Sequence, residues 1–298
     1  MNLIFIGAVK SSKIILEELV YNNVPIKGVI SLSEKEGKFR HSDYYSLRSL
    51  AKNKKINFFI CDDNTTLYKT LKKLKPTLIL VMGWSRLLKK ETLSLSEFGA
   101  IGMHPAPLPF GRGRHPIIWS IILGLKKTKV TLFKLDTKAD TGNIVIQKAL
   151  VIKDTETALS LLDKVSSLAS KMTTKILKDF IENKKIKSIK QKDFISYSWR
   201  KRNFTDGIIN FQFNSILISR MVRALSLPYS GAEAIHSVLG KGKVWEVGIT
   251  NGIRKHHEYP GLVIGHKDSY PLICCFDKII MLKKSSYKKK INIGTWFC

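Results

Sequence analysis

Cysteine, acidic side chains and long apolar runs are all scarce in this chain of 298 residues. The four cysteines form no CxxC pair and have no histidine at metal-ligand spacing, which argues against a disulfide framework and a zinc site. We therefore expect free thiols in a reducing cytoplasm. The longest apolar run, residues 116–125, is about half of the ~20 residues that cross a membrane. No basic region precedes the first apolar residues, so we expect neither a secretory signal nor a membrane partner.

Acidic side chains are outnumbered more than two to one by basic side chains. The chain has 23 aspartates and glutamates against 51 lysines and arginines, a formal net charge of +28. Such a surplus attracts anions, nucleic acids among them. Lysine supplies 41 of the basic residues and arginine only 10, however, and lysine lacks the planar fork with which arginine binds phosphate. The charge is either a solvated background or a field that attracts an anion, and it identifies no partner.

Two phosphate-binding motifs are missing as well. No GxGxxG follows the first apolar run, and GxxxxGK[ST] occurs nowhere. Apolar runs nevertheless alternate with segments of helical spacing, which predicts a parallel sheet with crossover helices. Ligands of such sheets bind beyond the carboxyl ends of the strands. That rule directs attention to residues 7–12, 83–86 and 103–114.

The chain divides at a polar, lysine-rich connection, residues 183–193. Before it, the pattern predicts strands at residues 2–7, 25–32, 57–61, 77–81, 97–104, 130–135 and 144–151, and helices at residues 11–20, 65–74 and 157–181. After it, short strands at residues 244–249, 261–264, 272–276 and 278–282 predict a small β-rich domain, and a barrel is one arrangement of such strands. We therefore expect two domains, residues 1–195 and residues 196–298.

Several polar residues follow the predicted strands. Ser11 and Ser12 stand where the first strand turns into a helix, so each either caps that helix or offers its hydroxyl to a ligand. His104 ends a strand and could serve as a general acid or base near neutral pH, although a structural role is equally open. Arg112 and Arg114 flank a glycine just before a predicted helix start and suit an anionic ligand. His115 is better explained as a helix-entry residue.

Two carboxylates stand close together in the connection after the predicted strand 130–135. Asp136 and Asp140 belong to the sequence DTKADTG, in which aspartate and glycine could be ordinary turn residues. In a chain with so few acidic side chains, a functional role is the alternative. An aspartate beside a histidine would orient the ring and stabilise its charged form. Spacing alone leaves both interpretations open.

The segments HPAPLPFGRGRHPIIWSIILG and TLFKLDTKADTG together resemble the 10-formyltetrahydrofolate-dependent formyltransferase family. The later segments RKRNFTDGIINF and MVRALSLPYSGA are similar to the start of the OB-like C-terminal domain of methionyl-tRNA and nucleotide-sugar formyltransferases. The resemblance covers roughly the whole chain. It implies an α/β fold in which a Rossmann-like, parallel-sheet catalytic domain (residues 1–195) precedes a small, β-rich, OB-like domain (residues 196–298).

The resemblance also implies a site. His104 matches the catalytic histidine of the family and Asp140 its catalytic aspartate, and no metal is needed. The formyl donor 10-formyltetrahydrofolate would bind at Met82, Gly83, Trp84, Arg86, Leu87, Leu88, Lys138 and Ala139. The acceptor substrate would bind at Ser11, Ser12, Arg112, Arg114 and Tyr229.

One position departs from the family pattern. Gly102 stands where the family has an asparagine, two residues before His104. That asparagine is thought to polarise the formyl oxygen, and the loss of an oxyanion donor costs about 2.7–4 kcal/mol.

The acceptor expected from the resemblance is the primary amine of a nucleotide-linked amino sugar, a dTDP-, UDP- or GDP-sugar. Such a product would serve the synthesis of surface polysaccharide, for example the O-antigen of lipopolysaccharide. The segment MVRALSLPYSGA and Arg114 both favour the sugar type. One alternative is methionyl-tRNA, for which the positive charge allows many phosphate contacts. Another is a non-catalytic RNA-binding relative, in which Gly102 marks lost activity. The resemblance also suggests a homodimer, since sugar-type relatives are often dimers.

Overall fold

The computed structural model describes residues 1–192 and 195–298, which form two compact units. The first unit contains Met1–Pro116, Lys127–Val151 and Leu162–Arg200, and the second contains Ile117–Lys126, Ile152–Leu161 and Lys201–Cys298. The predicted connection, residues 183–193, belongs to the first unit as far as it is described, while its last residue, Asp193, lies outside the described residues. The domain boundary at residue 195 remains a prediction.

A seven-stranded sheet forms the centre of the first unit. Its strands are β1 (Leu3–Ile6), β2 (Ile26–Ser31), β3 (Asn57–Ile60), β4 (Leu78–Val81), β5 (Ala100–His104), β7 (Lys127–Lys134) and β8 (Ile144–Val151). They are ordered β3-β2-β1-β4-β5-β7-β8. The first five are mutually parallel, whereas β7 runs antiparallel to both β5 and β8. The predicted α/β fold is confirmed, with an antiparallel edge because no crossover helix connects β7 to β8.

Helices connect the parallel strands. They are α1 (Lys10–Tyr21), α2 (Glu34–Arg40), α3 (Arg48–Asn53), α4 (Asn64–Leu74) and α5 (Lys90–Leu93), followed by α6 (Pro116–Ile122) and α7 (Ala158–Asn183). The side chains of Ser33 and Asp63 cap α2 and α4 by accepting a hydrogen bond from a backbone N–H of the first turn. Helix α6 begins at Pro116, where a missing N–H costs no hydrogen bond. Among the described residues, no helix is both long and apolar enough to cross a membrane.

Strand β1 shows why this sheet is buried. All four of its side chains, those of Leu3, Ile4, Phe5 and Ile6, are completely shielded from solvent. A strand without polar alternation requires apolar cover on both faces, as in parallel sheets with helices on each side. The carboxyl ends of β1, β4 and β5 consequently meet at one edge of a rigid layer. The rigid sheet therefore fixes the positions of the residues that directly follow those strands.

Two short strands lie outside the main sheet. Strand β6 (Phe110–Gly113) follows the proline-rich segment after β5 and pairs in parallel with β9 (Tyr197–Trp199). Neither strand was predicted, because β6 contains two glycines and both strands are too short to show a period. Through this pairing the chain beyond α7 returns to the segment that follows β5.

The second unit is an antiparallel sheet with one main helix. After α8 (Ser215–Leu225) come β10 (Ala232–His236), β11 (Gly240–Ile253), β12 (Val263–Lys267), β13 (Tyr270–Cys274) and β14 (Lys278–Ser285), ordered β10-β11-β14-β13-β12. Phe297 bridges to His236 at one edge, and Trp296 bridges to Leu262 beside the other. Because one segment pairs with both edges, it closes the sheet. The predicted β-rich second domain is confirmed.

Candidate active site

His104 is the last residue of β5 and is only 6% exposed. Its Nε2 lies 2.8 Å from the carbonyl oxygen of Gly111. A carbonyl oxygen only accepts hydrogen bonds, so Nε2 carries the hydrogen in the neutral ring. The lone pair is then on Nδ1, which lies 3.7 Å from Oδ2 of Asp140. His104 therefore presents its basic nitrogen on the side of Asp140.

Asp140 lies in the connection between β7 and β8, residues 135–143, which we call the Asp140 loop. Its backbone is left-handed, with φ of +57°, a conformation unusual for a residue other than glycine. The N–H of Gly113 donates a hydrogen bond of 2.9 Å to Oδ2. The distance of 3.7 Å to His104 is too long for a hydrogen bond but suits an ion pair once the ring is protonated. The carboxylate is thus positioned to stabilise an imidazolium.

Strand β6 holds both residues of the pair. The carbonyl of Gly111 accepts from His104, and the N–H of Gly113 donates to Asp140. Gly113 has φ of +98°, and a Cβ atom there would collide with the carbonyl oxygen of Trp199 on β9. Glycine is therefore required where β6 approaches its partner strand.

Gln191, which sequence reasoning missed, makes two hydrogen bonds to the Asp140 loop and two to Arg112 of β6. Its Nε2 donates to the carbonyl oxygens of Asp140 at 2.9 Å and Gly142 at 2.7 Å. Its Oε1 accepts from Nη2 and Nε of Arg112 at 2.7 and 3.2 Å. The residue is only 5% exposed, although it follows a run of lysines. The one available signal was an uncharged amide between Lys190 and Lys192.

A cavity of about 150 Å³ adjoins Asp140. It is lined by Val81, Gly83, Trp84, Arg86, Leu87, Leu88, Gly102, Met103, Phe133, Leu135, Asp136, Lys138, Ala139 and Asp140. Seven of the eight residues predicted to bind the formyl donor are thus brought together with Asp140. Met82 is the exception, since it is fully buried and its carbonyl accepts a hydrogen bond from Ser12.

Three successive residues each have a polar atom that is buried without a partner among the described residues, and two of them, Trp84 and Arg86, line this cavity. The atoms are the indole Nε1 of Trp84, the hydroxyl of Ser85 and Nε of Arg86. Arg86 does use another nitrogen to bind Glu36. Buried polar groups normally have partners, so unmet ones beside a cavity suit a ligand with its own donors and acceptors. Apolar side chains such as Leu88 and Phe133 would contact the faces of a flat ligand.

Gly102 lies in the lining of the same cavity and pairs with Phe133 in the sheet. A Cβ atom placed on Gly102 would come within 2.5 Å of Cδ2 of Leu135. Leu135 thus occupies the space into which a larger side chain at position 102 would extend. Gly102 itself brings no side-chain amide to the cavity.

The residues predicted to bind the acceptor fall into different environments. Ser12 is fully buried, donates to the carbonyl of Met82 and accepts from the N–H of Val9, so it fixes the turn between β1 and α1 instead of facing a ligand. Ser11 is buried as well. Arg112 is 8% exposed and binds Gln191, whereas Arg114 is exposed. Tyr229 lies in the second unit, half-buried after α8.

A second, larger cavity of about 700 Å³ lies on another side of the Asp140 loop. Arg112, Lys134, Lys138 and Lys190 contribute to its lining, and Asp136 is its one acidic side chain. Its surface is therefore basic. Within residues 1–192 and 195–298, no group of three or more histidine, cysteine or acidic side chains is arranged to hold a metal ion.

Two family models match the sequence. The model described as "Formyl transferase" matches residues 1–177, and the model described as "Formyl transferase, C-terminal domain" matches residues 203–298. The first match alone covers more than half of the chain. It includes His104, the Asp140 loop and every residue of the 150 Å³ cavity, while Gln191 lies between the two matched ranges.

Known proteins are similar over nearly the whole length. A methionyl-tRNA formyltransferase of Caldanaerobacter subterraneus subsp. tengcongensis is 27% identical over 279 residues, covering 92% of this chain and 88% of that protein. The N-formyltransferase from Helicobacter canadensis, solved with folinic acid and dTDP-3-aminofucose, has a TM-score of 0.67 at 21% identity and covers 95% of this chain and 99% of its own. WlaRD, a sugar 3N-formyl transferase solved with dTDP and 5-N-formyl-THF, has a TM-score of 0.65 at 20% identity, with coverage of 95% and 97%. The two solved structures share the fold of this chain.

Proposed function

The chain belongs to the formyl transferase family, and from this premise we propose that it transfers the formyl group of 10-formyltetrahydrofolate to the primary amine of a nucleotide-linked amino sugar. Members of this family are enzymes that transfer formyl groups. The observation that carries the proposal is the pair formed by His104 and Asp140. Their side chains face each other at 3.7 Å, and Asp140 lines a cavity with unmet polar groups.

The reaction needs a neutral amine and a base for the proton that the amine loses. A bond forms between the amine nitrogen and the formyl carbon, and the bond from that carbon to N10 of the folate breaks. In our proposal, Nδ1 of His104 takes the amine proton, which then passes to N10 as it leaves. Asp140 stabilises the intervening imidazolium. The protein contributes further by holding the two reactants in contact.

The donor site in this proposal is the 150 Å³ cavity. Trp84 and Arg86 would supply polar partners to the edge of the pterin ring, and Lys138 and Ala139 would border it from the Asp140 loop. Since Leu135 fills the space beside Gly102, the charge that develops on the formyl oxygen must be met by groups other than a side chain at position 102.

Three observations support an amino-sugar acceptor. Arg114 is an exposed cation next to β6 and suits a diphosphate. The segment MVRALSLPYSGA, which contains Tyr229, resembles the corresponding segment of sugar-type enzymes. The Helicobacter canadensis enzyme, which shares the fold over nearly its whole length, was solved with dTDP-3-aminofucose. We further propose that the formylated sugar is used for surface polysaccharide, for example lipopolysaccharide O-antigen.

Methionyl-tRNA is the second candidate acceptor. A methionyl-tRNA formyltransferase is the relative with 27% identity, and the net charge of +28 would favour a polyanion. A tRNA acceptor predicts that the apparent affinity falls steeply with salt, because bound phosphates release counterions. A nucleotide sugar with two phosphates predicts a shallow dependence.

Direct transfer decides between the two. The protein is mixed with 10-formyltetrahydrofolate and, separately, with dTDP-, UDP- and GDP-linked amino sugars and with methionyl-tRNA. Release of tetrahydrofolate is followed, and mass spectrometry detects the added formyl group. We expect one amino sugar to be formylated, and transfer to be strongly slowed in His104→Ala and Asp140→Ala.

Each other outcome has a defined meaning. Formylation of methionyl-tRNA alone would replace the sugar with tRNA and leave the chemistry unchanged. Binding of folinic acid without turnover on any acceptor would contradict the proposed function and favour a relative that has lost catalysis at Gly102.

A further inference from the structure

We propose that Gln191 is a positioning residue for formyl transfer, because its carboxamide holds the Asp140 loop against β6 and thereby sets the place of the Asp140 carboxylate. The inference deepens the proposed function and rests on it. Gln191 lines the 700 Å³ cavity but not the 150 Å³ cavity, and it makes no hydrogen bond to His104, so its effect on the catalytic pair passes through Asp140. No residue of the predicted site supplies this function.

The hydrogen bonds of Gln191 use the full capacity of its side chain. An amide offers two N–H donors and two acceptor lone pairs. Here one N–H is given to Asp140, the other to Gly142, and both lone pairs to Arg112. Rotation of the amide by half a turn would place NH₂ against the arginine and oxygen against two carbonyls. The arrangement therefore fixes a single orientation of the side chain.

The anchoring partner of Gln191 is the middle residue of β6. Arg112 binds Gln191, while its neighbours Gly111 and Gly113 bind His104 and Asp140 directly. Three successive residues of one strand thus reach both members of the catalytic pair. Gly113 holds the Asp140 carboxylate, and Gln191 holds the backbone that carries it.

Asp140 needs such a restraint for a physical reason. Its left-handed φ of +57° is disfavoured for an aspartate and persists only where surrounding contacts maintain it. The carbonyl of Asp140 is one of the two that Gln191 binds. Without that hydrogen bond the peptide can relax, and the carboxylate moves relative to Nδ1 of His104. A displacement of about 1 Å at a reacting group can lower the rate about 100-fold.

The test compares two variants, one that removes every hydrogen bond of the amide and one that removes only those that it donates. Gln191→Met removes all four hydrogen bonds at similar size. Gln191→Glu keeps an acceptor for Arg112 but cannot donate to the two carbonyls. We expect kcat to fall about 100-fold in both, with KM for donor and acceptor changed by less than about threefold. Gln212→Glu, at an exposed position of the second unit, is the matched control and should keep the wild-type kcat.

A double-mutant cycle separates positioning from general stability. In an Asp140→Ala background, Gln191→Met should lower the residual kcat by less than about twofold, because no carboxylate remains to be positioned. An undiminished effect in that background would show that Gln191 acts through the fold and would overturn the proposal. Wild-type kcat in Gln191→Glu would also overturn it. If Gln191→Met does not fold, Gln191→Glu, which can still pair with Arg112, carries the test.

Hydrogen exchange tests the role of Gln191 independently of formyl transfer. We expect amides of residues 136–143 to exchange at least about tenfold faster in Gln191→Met, while those of β1 stay unchanged. If the wild-type protein formylates no acceptor, the proposed function fails, and exchange alone decides about Gln191. Unchanged exchange in residues 136–143 would then reject the positioning role.

Discussion

The two sides of the site differ in how their polar groups are satisfied. On the bonded side, His104, Asp140, Arg112 and Gln191 bind one another or the backbone of β6. On the open side, Trp84, Ser85 and Arg86 keep buried polar atoms that have no partner in the described part of the chain.

This difference separates two tasks. Groups that act on a developing charge must be in place before the reaction, since reorganising them during it would raise the barrier. Groups that recognise a ligand need no hydrogen-bond partner within the protein, because the ligand completes their hydrogen bonds on binding. We therefore expect changes on the bonded side to lower kcat, and changes on the open side to raise KM for the donor.

The largest expected effect is on the bonded side. His104→Ala should lower kcat for formyl transfer by about 10³-fold, since general-base catalysis contributes roughly 10²–10⁴-fold. Folinic acid should still bind with an affinity close to that of the wild type. The matched control is His257→Ala, at an exposed position of the second unit. Folinic acid affinity that fell together with kcat would mean that the two sides do not have separate tasks.

A smaller effect, on stability, is expected at Gly102, which lines the 150 Å³ cavity together with Trp84 and Asp140. Gly102→Asn should lower the free energy of unfolding by about 1–3 kcal/mol, because the new Cβ meets Leu135 at 2.5 Å. Urea unfolding measures the change, and Leu135→Ala in the same chain should restore part of it. Gly265→Asn is the control, since nothing lies within less than 4.0 Å of a Cβ there. Equal losses at both positions would argue against Leu135 as the cause.

On the open side, Trp84→Phe removes an unpartnered N–H but keeps an aromatic ring. We expect KM for 10-formyltetrahydrofolate to rise about 2–10-fold with kcat unchanged, the cost of one ligand hydrogen bond of roughly 0.5–1.5 kcal/mol. Titration with folinic acid should give the same ratio. Trp296→Phe, at an exposed indole of the second unit, controls for the substitution. A fall in kcat at constant KM would assign Trp84 to the bonded side.

The smallest effect tests whether an unpartnered polar atom always marks a ligand site. Nε2 of His41 is also buried without a partner among the described residues, but His41 lies outside the cavity. Burial, reinforced by Arg40 and Arg114, lowers the pKa of His41 to about 4. The unfolded chain therefore takes up this proton first, and stability falls as pH drops from about 6.5 to about 4. Allowing for solvent screening, we expect a loss of about 1 kcal/mol.

Thermal unfolding at several pH values checks this expectation. His41→Gln should lose less stability than the wild type over that pH range, with no change in KM for the donor. A changed KM would place His41 in the ligand site after all.

Much of the main sheet could be predicted from the sequence, for a reason visible in β1 and β4. Both are short, wholly apolar runs followed within two residues by a glycine, and their residues are buried as such runs require. The antiparallel placement of β7 was harder, because it depends on the length of a connection and not on the strand itself. Strand β6 is too short to show a hydrophobic period, and it forms a strand only because it pairs with β9.

The candidate site shows the same limit. The pairing of His104 with Asp140 came from the resemblance, since spacing alone left an ordinary turn open. Gln191 hydrogen-bonds to Asp140, which lies 51 residues earlier in the sequence, before α7. A contact between residues so far apart leaves no local sequence pattern from which it could be predicted. The contact between Gly102 and Leu135 likewise depends on tertiary packing, because the two residues are 33 positions apart, and the sequence alone could not predict it.

The place of Gln191 beyond α7 has a consequence for how genes of this family can recombine. A crossover just after Asn183, where the helical pattern stops, would take Asp140 from one parent and Gln191 from the other. If the two parents differ in this contact, the hybrid would fold and yet turn over slowly. A crossover after Arg200 keeps β6, β9, Arg112 and Gln191 from one ancestor. The residues that hold Asp140 in place therefore extend beyond the end of α7, to Gln191 and β9.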